Sequence, residues 1–192
     1  MSNSNPFTGD WHSDNYIMCD ILSQVNYYSG TERKNMLKVS PKIGGSMLYG
    51  TTWKSYLAPG RTRTPSPFKN LYYTKVVDQY PELDYIFKQF AMIHFPLFEF
   101  DQVQMNKNFE CPPHKDSSNI GQSVLCCFGE YKNGETMVEY EDHTMCYDAR
   151  EKPVMFDGSK YLHWVEKVTS GDRYSLVFFK NNKKKRVEKK SN

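Results

Sequence analysis

Apolar residues in the first half of the chain keep a clear helical spacing in one stretch, which follows Pro81. Members of this stripe are three or four positions apart, as on one face of an α-helix: Leu83, Ile86, Phe87, Phe90 and Ile93. Pro81 suits a first helical turn, and the carboxylate of Glu82 is favourable near the positive end of the helix dipole. We therefore predict an amphipathic helix after Pro81 that packs on a sheet, and a weaker helix over residues 67–79. Residues 36–65 are dense in Gly, Pro, Ser and Thr and are predicted to be loops.

From Phe98 onward the pattern becomes one of short β-prone runs. About seven such runs, among them SVLCCFG, TMVEY and RYSLVFF, are separated by turns such as YKNGE and FDGSK. This pattern is typical of a small barrel or a double-sheet jelly roll. We therefore predict a single α+β domain over residues 1–179 with a mainly β core, in which residues 1–97 form a helical and loop support and residues 98–179 form the core.

Composition narrows the class of protein. The chain has 192 residues, the size of one domain, and an aromatic content of 15%, which argues against disorder. It has no apolar run long enough for a transmembrane helix, and its N-terminus lacks the pattern of a secretory signal, so no membrane partner is expected.

The five cysteines lack the spacing of a disulfide framework, and Cys126 and Cys127 lie in an apolar run. We therefore expect the cysteines to be reduced thiols in the core of an intracellular protein. We also expect this protein to be a monomer.

Charge is distributed unevenly along the chain. Residues 180–192 contain seven Lys or Arg and one Glu, whereas the other residues contain 18 basic and 21 acidic side chains. Three interpretations of this tail stay open: a disordered solvated terminus, a nuclear address within Lys183–Lys190, or a non-specific phosphate contact. The protein is accordingly expected in the nucleus or the cytoplasm.

The segment HKDSSNIG introduces the chemistry. His114 and Asp116 are two positions apart, and His163 follows in SKYLHWVEKV. A lone His-x-Asp is most often a solvated turn, and a lone histidine beside a tryptophan is most often packed. Together, two histidines and one carboxylate are the ligand set of non-haem Fe(II) oxygenases. The spacing therefore predicts an iron site made by His114, Asp116 and His163, and we assign no metal to His12, His94 or His143.

Arg173 supplies a second element of this chemistry. It begins the run RYSLVFF, and strand alternation places Arg173 and Ser175 on one face. Enzymes with such an iron site use 2-oxoglutarate, whose far carboxylate suits the planar fork of a guanidinium group. Arg173 alone could equally be a surface strand residue, but its position after the iron motif favours a cosubstrate contact.

These motifs resemble the Fe(II)/2-oxoglutarate-dependent dioxygenase superfamily, whose fold is a double-stranded β-helix. The resemblance covers about residues 100–179. Two runs, VQMNKNFECPPHKDSSNIGQSVLCCFGEYKNGE and YDAREKPVMFDGSKYLHWVEKVTSGDRYSLVFF, are most similar to the TET/J-binding-protein branch. That branch hydroxylates the methyl group of 5-methylcytosine or thymine in nucleic acid. The resemblance implies Fe(II) as cofactor, held by the two histidines and the aspartate, and 2-oxoglutarate and O2 as cosubstrates.

The resemblance also implies roles for further residues. Asn119 stands where the branch has an asparagine that holds the flipped base, although SSNIG would form a turn in any case. Asn106 and Asn108 alternate with Gln104 on one strand, so they line the pocket near the cosubstrate or belong to a buried polar network. Arg61 and Arg63 are interpreted either as solvated surface or as contacts to an anionic substrate. The candidate cosubstrate-binding residues are therefore Arg173, Ser175, Asn106 and Asn108, and the candidate substrate-binding residues are Asn119, Arg61 and Arg63.

The favoured function is therefore hydroxylation of a methylated pyrimidine in nucleic acid. Two alternatives stay open: a protein hydroxylase acting on prolyl or lysyl side chains with the same iron site, and a non-catalytic binding module on the same fold. The chain outside its tail is acidic, whereas an enzyme of duplex DNA usually presents a basic stripe, so the sequence supports the chemistry more firmly than the substrate.

Overall fold

The structure, a computed structural model, describes residues 4–27, 45–52 and 72–181. Arg61, Arg63 and the basic block at 183–190 lie outside these residues. The described part contains three helices, α1 (Trp11–Ser23), α2 (Lys75–Gln79) and α3 (Leu83–His94). It also contains twelve strands: β1 (Gly45–Thr52), β2 (Tyr72–Tyr73), β3 (Gln102–Lys107), β4 (Cys111–His114), β5 (Asn119–Phe128), β6 (Tyr131–Lys132), β7 (Thr136–Glu139), β8 (Thr144–Tyr147), β9 (Val154–Phe156), β10 (Leu162–Val165), β11 (Ser170–Gly171) and β12 (Tyr174–Asn181).

Two antiparallel sheets form the core of the protein. The larger sheet has six strands in the order β2-β1-β3-β12-β5-β9, and the smaller sheet has four in the order β4-β10-β7-β8. A short pair, β11-β6, lies beside them. Because neighbouring strands in each sheet are often distant in sequence, the chain crosses repeatedly between the sheets. This is the double-stranded β-helix that the sequence predicts, and the mainly β core is confirmed.

Helix α3 covers the outer face of the larger sheet. Its buried residues Leu83, Phe87 and Phe90 belong to the stripe read from the sequence. The ring of Phe87 meets that of Phe178 on β12 edge-on, with centroids 6.0 Å apart. Burying such aromatic side chains stabilises the domain by about 1.5–3 kcal/mol each. The amphipathic helix expected after Pro81 is therefore present. It packs against β12, whose opposite face lines part of a cavity between the two sheets.

Two elements differ from the sequence prediction. Residues 45–52, expected to be loop, form β1, whose side chains alternate between buried and half-buried and which pairs with β3 along six residues from Gly45 to Gly50. The sequence did not predict this strand, because the segment is rich in glycine, which is typical of loops. The weaker helix over residues 67–79 is shorter than expected, since Tyr72–Tyr73 is a strand and only Lys75–Gln79 is helical; residues 67–71 lie outside the described residues.

Buried Asp14 joins α1 to α3 and to the segment that precedes it. Its carboxylate accepts hydrogen bonds from the backbone of Thr8 (2.7 Å) and Gly9 (2.9 Å) and lies 2.9 Å from Nε2 of His94. Burial by itself raises the pKa of Asp14, but these hydrogen bonds outweigh it and hold the pKa below 3.8. His94, to which the sequence assigns no metal, therefore pairs with a carboxylate at the end of α3.

The cysteines are all free thiols. Cys111, Cys126 and Cys127 are buried as expected, but Cys146 is exposed on β8, so it is not a core thiol. Among the helices that the structure describes, none combines the length and the apolar character needed to cross a membrane.

Candidate active site

A cavity of about 380 Å³ opens between the two sheets. One wall is made by inward side chains of β3 and β12 in the larger sheet, and the other by β4, β7 and β10 in the smaller one. Its polar lining includes the following residues: Gln102, Gln104, Asn106, His114, Asp116, Asn119, Thr136, His163, Arg173, Ser175 and Asn181. Polar groups are thus concentrated in a space that the fold otherwise encloses with apolar side chains, as in a binding site.

His114, Asp116 and His163 meet at one side of this cavity. His114 ends β4, and β10 places His163 directly opposite it in the strand pairing, so the ring centroids are 4.3 Å apart. Asp116 follows two residues after His114; its Oδ1 is 3.7 Å from Nε2 of His114 and its Oδ2 is 3.6 Å from Nε2 of His163. The three candidate ligand atoms lie within 4.8 Å of one another. Strand pairing thus brings together residues that are far apart in sequence.

Backbone carbonyls determine which nitrogen of each histidine faces Asp116. Nδ1 of His114 lies 2.9 Å from the carbonyl of Pro112, and Nδ1 of His163 lies 3.1 Å from the carbonyl of Tyr161. Because a carbonyl can only accept, each Nδ1 carries the proton, and each neutral ring therefore has its lone pair on Nε2. A metal-ligating histidine almost always has its second nitrogen bound in this way. Two such imidazoles and one carboxylate fit Fe(II).

Asp116 is held by its neighbours on both sides. Its backbone N–H donates to the carbonyl of Gly158 (2.8 Å), and its own carbonyl accepts from the N–H of Asn119 (3.0 Å). The side-chain amide of Asn119 donates to Oδ2 of Asp116 (3.2 Å) and lies 3.5 Å from Oγ of Ser123. Asn119 therefore lines the cavity, where the sequence places it, and also contacts the carboxylate directly.

Arg173 lies at another part of the cavity and is only 1% exposed. Its Nη2 donates to Sγ of Cys127 (3.1 Å) and to Oγ1 of Thr136 (3.3 Å), and its Nε has no hydrogen-bond partner in the described part of the chain. Burial raises the pKa of the Cys127 thiol despite the nearby guanidinium, so the thiol stays protonated and leaves the charge of Arg173 uncompensated. Arg173 forms no ion pair with the carboxylates that the structure describes. A buried cation without a counter-ion is costly, and this one fits an anionic ligand.

Asn106 and Ser175 line the cavity on adjacent strands. The amide of Asn106 donates to Oγ of Ser175 (3.2 Å) and accepts from Oγ of Ser46 (2.8 Å), which also accepts from Gln104 (2.9 Å). Asn106 therefore lines the cavity and belongs to a buried polar network, and its contact with the cosubstrate stays a prediction. Ser175 shares its face with Arg173, as strand alternation predicts.

Asn108 does not line the cavity, contrary to the sequence prediction. Strand β3 ends at Lys107, and Asn108 has a φ of 46°, which reverses the alternation that would have turned it inward. Its side chain instead donates to Asp172 (2.8 Å) and accepts from the backbone of Arg173 (2.7 Å). Asn108 thus anchors the start of β12, and it affects the site through the backbone of Arg173.

Two further polar residues, Gln102 and Asn181, were missed by sequence reasoning. The amide of Asn181 donates to Oε1 of Gln102 (2.9 Å), and its own buried Oδ1 meets no hydrogen-bond donor among the residues that the structure describes. Strand β12 continues to Asn181, whereas the sequence assigned residues 180–192 to the tail. The alternation from Arg173 through Ser175, Val177 and Phe179 reaches Asn181 at the same phase, so extending the predicted strand beyond Phe179 would have found this residue.

Comparison with known proteins gives a partial match in sequence. No protein-family model matches the chain. Over 68 residues, which are 35% of this chain, it is 38% identical to Tet-like dioxygenase 1 of Naegleria gruberi. The match spans 21% of that protein, so the likeness concerns a segment of it.

Solved structures match more of the chain. One is NgTET1 in complex with 5mC DNA, with a TM-score of 0.51 and 20% identity over 88% of this chain and 68% of that chain. Another is an oxidoreductase of the 2OG-Fe(II) oxygenase family from Burkholderia pseudomallei, with a TM-score of 0.52 and 14% identity over 85% of this chain and 77% of that chain. At these identities the likeness concerns the fold, and it agrees with the resemblance read from the sequence.

Proposed function

We propose that this chain, which has the fold of the 2-oxoglutarate- and Fe(II)-dependent oxygenases, is a dioxygenase that hydroxylates the methyl group of 5-methylcytosine or thymine in nucleic acid. One observation carries the proposal of a dioxygenase. The same cavity contains two Nε2 lone pairs and a carboxylate in one cluster, and in another part a buried guanidinium that forms no ion pair with any described residue. This combination suits a metal ion and a dicarboxylate that chelates it.

His114, Asp116 and His163 are the proposed ligands of Fe(II). Arg173 holds the far carboxylate of 2-oxoglutarate, and Ser175 on the same strand face adds a hydroxyl. With Fe(II), 2-oxoglutarate and O2 bound, the site supplies the oxidation of a C–H bond to an alcohol, coupled to conversion of 2-oxoglutarate into succinate and CO2. The carbonyls of Pro112 and Tyr161 orient both imidazoles so that Nε2 faces Asp116, which readies them for the metal.

The walls of the cavity limit the access of water to the reacting groups. Phe156 meets the ring of His163 edge-on, with centroids 5.1 Å apart. Leu125, Val177 and Phe179 complete an apolar lining. Exclusion of water strengthens the electrostatic contacts inside the site and limits side reactions. The protein thereby orients the substrate methyl group and protects it during the reaction.

The choice of a methylated pyrimidine rests on Asn119 and on the sequence relative. A carboxylate can only accept, so the amide nitrogen of Asn119 faces Asp116 and its Oδ1 is the free end, with no hydrogen-bond partner among the residues described. That oxygen can accept from an N–H on the edge of a flipped pyrimidine. The segment shared with Tet-like dioxygenase 1 and the fold shared with NgTET1, solved with 5mC DNA, support the same substrate class.

Contacts to the phosphate backbone are assigned to basic residues outside the described part of the chain. Arg61 and Arg63 lie in a segment interleaved with aromatic residues, and residues 182–192 carry the part of the basic tail that follows β12. Non-specific affinity of such groups for nucleic acid falls steeply with salt concentration. The basic block within residues 183–190 also suits a nuclear address.

A paired substrate screen tests the function. The protein, loaded anaerobically with Fe(II) and 2-oxoglutarate, is given O2 together with oligonucleotides that carry 5-methylcytosine or thymine, in DNA and in RNA, or with peptides that contain proline and lysine. We expect succinate release and a hydroxymethyl product with a methylated oligonucleotide. Oxidation of a peptide alone would identify a protein hydroxylase, and binding without oxidation of either class would identify a non-catalytic module.

The variant Asn119→Ala separates the substrate contact from the metal site. We expect oxidation of the methylated pyrimidine to fall about 10–100-fold, the effect of losing hydrogen bonds that total about 1–3 kcal/mol. Because Asn119 also contacts Asp116, Fe(II) affinity should fall by a smaller factor, and rates are therefore compared at saturating Fe(II).

Asn15→Ala is the matched control, since Asn15 donates to the carbonyl of Cys127 outside the cavity and its loss should leave the rate constant unchanged at saturating Fe(II). Equal oxidation by Asn119→Ala and the wild type would exclude the base contact.

A further inference from the structure

We propose that the turn over residues 157–161 sets the distance between Asp116 and His163, and that Gly158 is the positioning residue within it. This inference rests on the proposed metal site, because it concerns the geometry of two of its ligands. Asp116 and His163 belong to different elements, one after β4 and the other on β10. A connection other than strand pairing is therefore needed to place the carboxylate of a loop residue against an imidazole.

The turn is built around the side chain of Asp157. Its Oδ1 accepts from the backbone N–H of Ser159 (3.0 Å), from the hydroxyl of Ser159 (2.7 Å) and from the N–H of Lys160 (3.2 Å). The carbonyl of Asp157 accepts from Lys160 (3.1 Å) and from Tyr161 (2.9 Å). An aspartate that bonds the backbone just after it stabilises a compact turn. These bonds define where the carbonyls of the turn point.

Two carbonyls of this turn hold the two ligands. The carbonyl of Gly158 accepts from the backbone N–H of Asp116 at 2.8 Å. The carbonyl of Tyr161 accepts from Nδ1 of His163 at 3.1 Å. One short segment therefore fixes the backbone at Asp116 and the ring orientation of His163 at the same time. Bonds of this kind to the groups behind metal ligands commonly control metal affinity.

Gly158 also leaves the space in which the two ligands approach each other. A Cβ at this position would lie 3.2 Å from Cε1 of His163, 3.3 Å from Oδ2 of Asp116 and 3.5 Å from Phe156. Its φ lies outside the left-handed region, so the backbone does not require glycine there. The reason for glycine at this position is therefore space beside the ligands.

Neighbouring groups restrain both ligands in their present positions. Phe156 packs edge-on against the ring of His163. The side chain of Asn119 and the backbone bond to Gly158 both restrain Asp116. A methyl group on Gly158 must therefore displace the imidazole or the carboxylate by a few tenths of an ångström, while the sheets around them stay paired.

Gly158→Ala tests this positioning role with Co(II), a spectroscopic substitute for Fe(II). We expect the affinity of the variant for Co(II), measured by titration, to fall about 10-fold, the lower end of the effect of changing groups behind metal ligands. The visible absorption spectrum of bound Co(II) should also shift, because the ligand geometry changes, whereas the unfolding temperature of the metal-free protein should change little.

Ser159→Ala is the matched control in the same turn. It removes one hydroxyl bond to Asp157 but leaves both backbone N–H bonds, and it adds no atom beside the ligands. We expect its Co(II) affinity and spectrum to match those of the wild type. If Gly158→Ala does not fold, Asp157→Ala replaces it: loss of the three bonds to Oδ1 loosens the turn without adding atoms, and we expect the same weakening of Co(II) binding.

The outcomes separate this inference from the proposed function. Wild-type protein that binds no Co(II) would overturn the metal site itself. Wild-type protein that binds Co(II), together with a folded Gly158→Ala variant of equal affinity and identical spectrum, would overturn the positioning role alone. If Asp157→Ala is used instead, a folded variant with the Co(II) affinity and spectrum of the wild type would also overturn the positioning role alone. Weakened binding with a shifted spectrum, and an unchanged Ser159→Ala control, supports the inference.

Discussion

His163→Ala is expected to abolish oxidation and to remove the high-affinity Fe(II) site. His163 is 6% exposed, and its Nε2 is one of the two lone pairs that face Asp116. Alanine leaves two ligands and a space that water can fill, so the metal is lost or held in an altered geometry. We expect the oxidation rate to fall by at least about 1000-fold, which corresponds to about 4 kcal/mol, and Fe(II) binding measured anaerobically by titration to weaken in parallel.

His143→Ala provides the control for loss of an imidazole beside a carboxylate. His143 is exposed and lies 2.5 Å from Asp142, outside the cavity. Its replacement should leave Fe(II) affinity and oxidation unchanged. Asp116→Ala should reproduce the effect of His163→Ala. If the His163→Ala variant is folded and still binds one Fe(II) with the affinity of the wild type, the metal site lies elsewhere.

Arg173→Lys is expected to weaken the binding of 2-oxoglutarate about 10–100-fold. A hydrogen bond to a charged group contributes about 1.5–3 kcal/mol, and lysine keeps the charge but loses the planar fork that matches a carboxylate. Fe(II) affinity without 2-oxoglutarate should stay close to that of the wild type, because Arg173 is not among the three residues whose ligand atoms converge. Titration of 2-oxoglutarate at saturating Fe(II), without O2, measures the change.

The matched control is Arg150→Lys. Arg173 and Arg150 both lie over the ring of Tyr131, with Cζ 5.8 Å and 4.3 Å from its centroid, but Arg150 pairs with Asp148 and does not line the cavity. Its replacement should leave the affinity for 2-oxoglutarate unchanged. Far-ultraviolet circular dichroism of both variants checks the fold, since Arg173 is buried. Equal affinity of the folded Arg173→Lys variant and the wild type would exclude Arg173 as the carboxylate contact.

The polar network beside Arg173 shows how the fold prepares a charged group for a ligand. Partners that stay neutral, Cys127 and Thr136, hold the guanidinium in place without cancelling its charge. A carboxylate at either position would form an ion pair and compete with 2-oxoglutarate. The raised pKa of the buried Cys127 thiol therefore favours the binding of 2-oxoglutarate, because a thiolate at this position would cancel the positive charge of Arg173.

Local patterns in the sequence predict the amphipathic helix, the mainly β core and the candidate iron ligands. The stripe after Pro81 follows from the helical period, and the shared face of Arg173 and Ser175 follows from the alternation of a strand. His114 and Asp116 are close in sequence, so their proximity needs no tertiary information. All three features involve residues that are close in sequence. Hydrophobic burial at a regular period determines the helix and the strand face.

The tertiary structure decided which distant groups meet. His163 lies opposite His114 because β10 pairs with β4, and Gly158 supports Asp116 because a turn folds back onto the loop after β4. Asn108 leaves the cavity because a positive φ at the end of β3 interrupts the alternation. Periodicity does not determine such features, since they depend on strand order, on single backbone angles and on contacts between segments that the sequence separates.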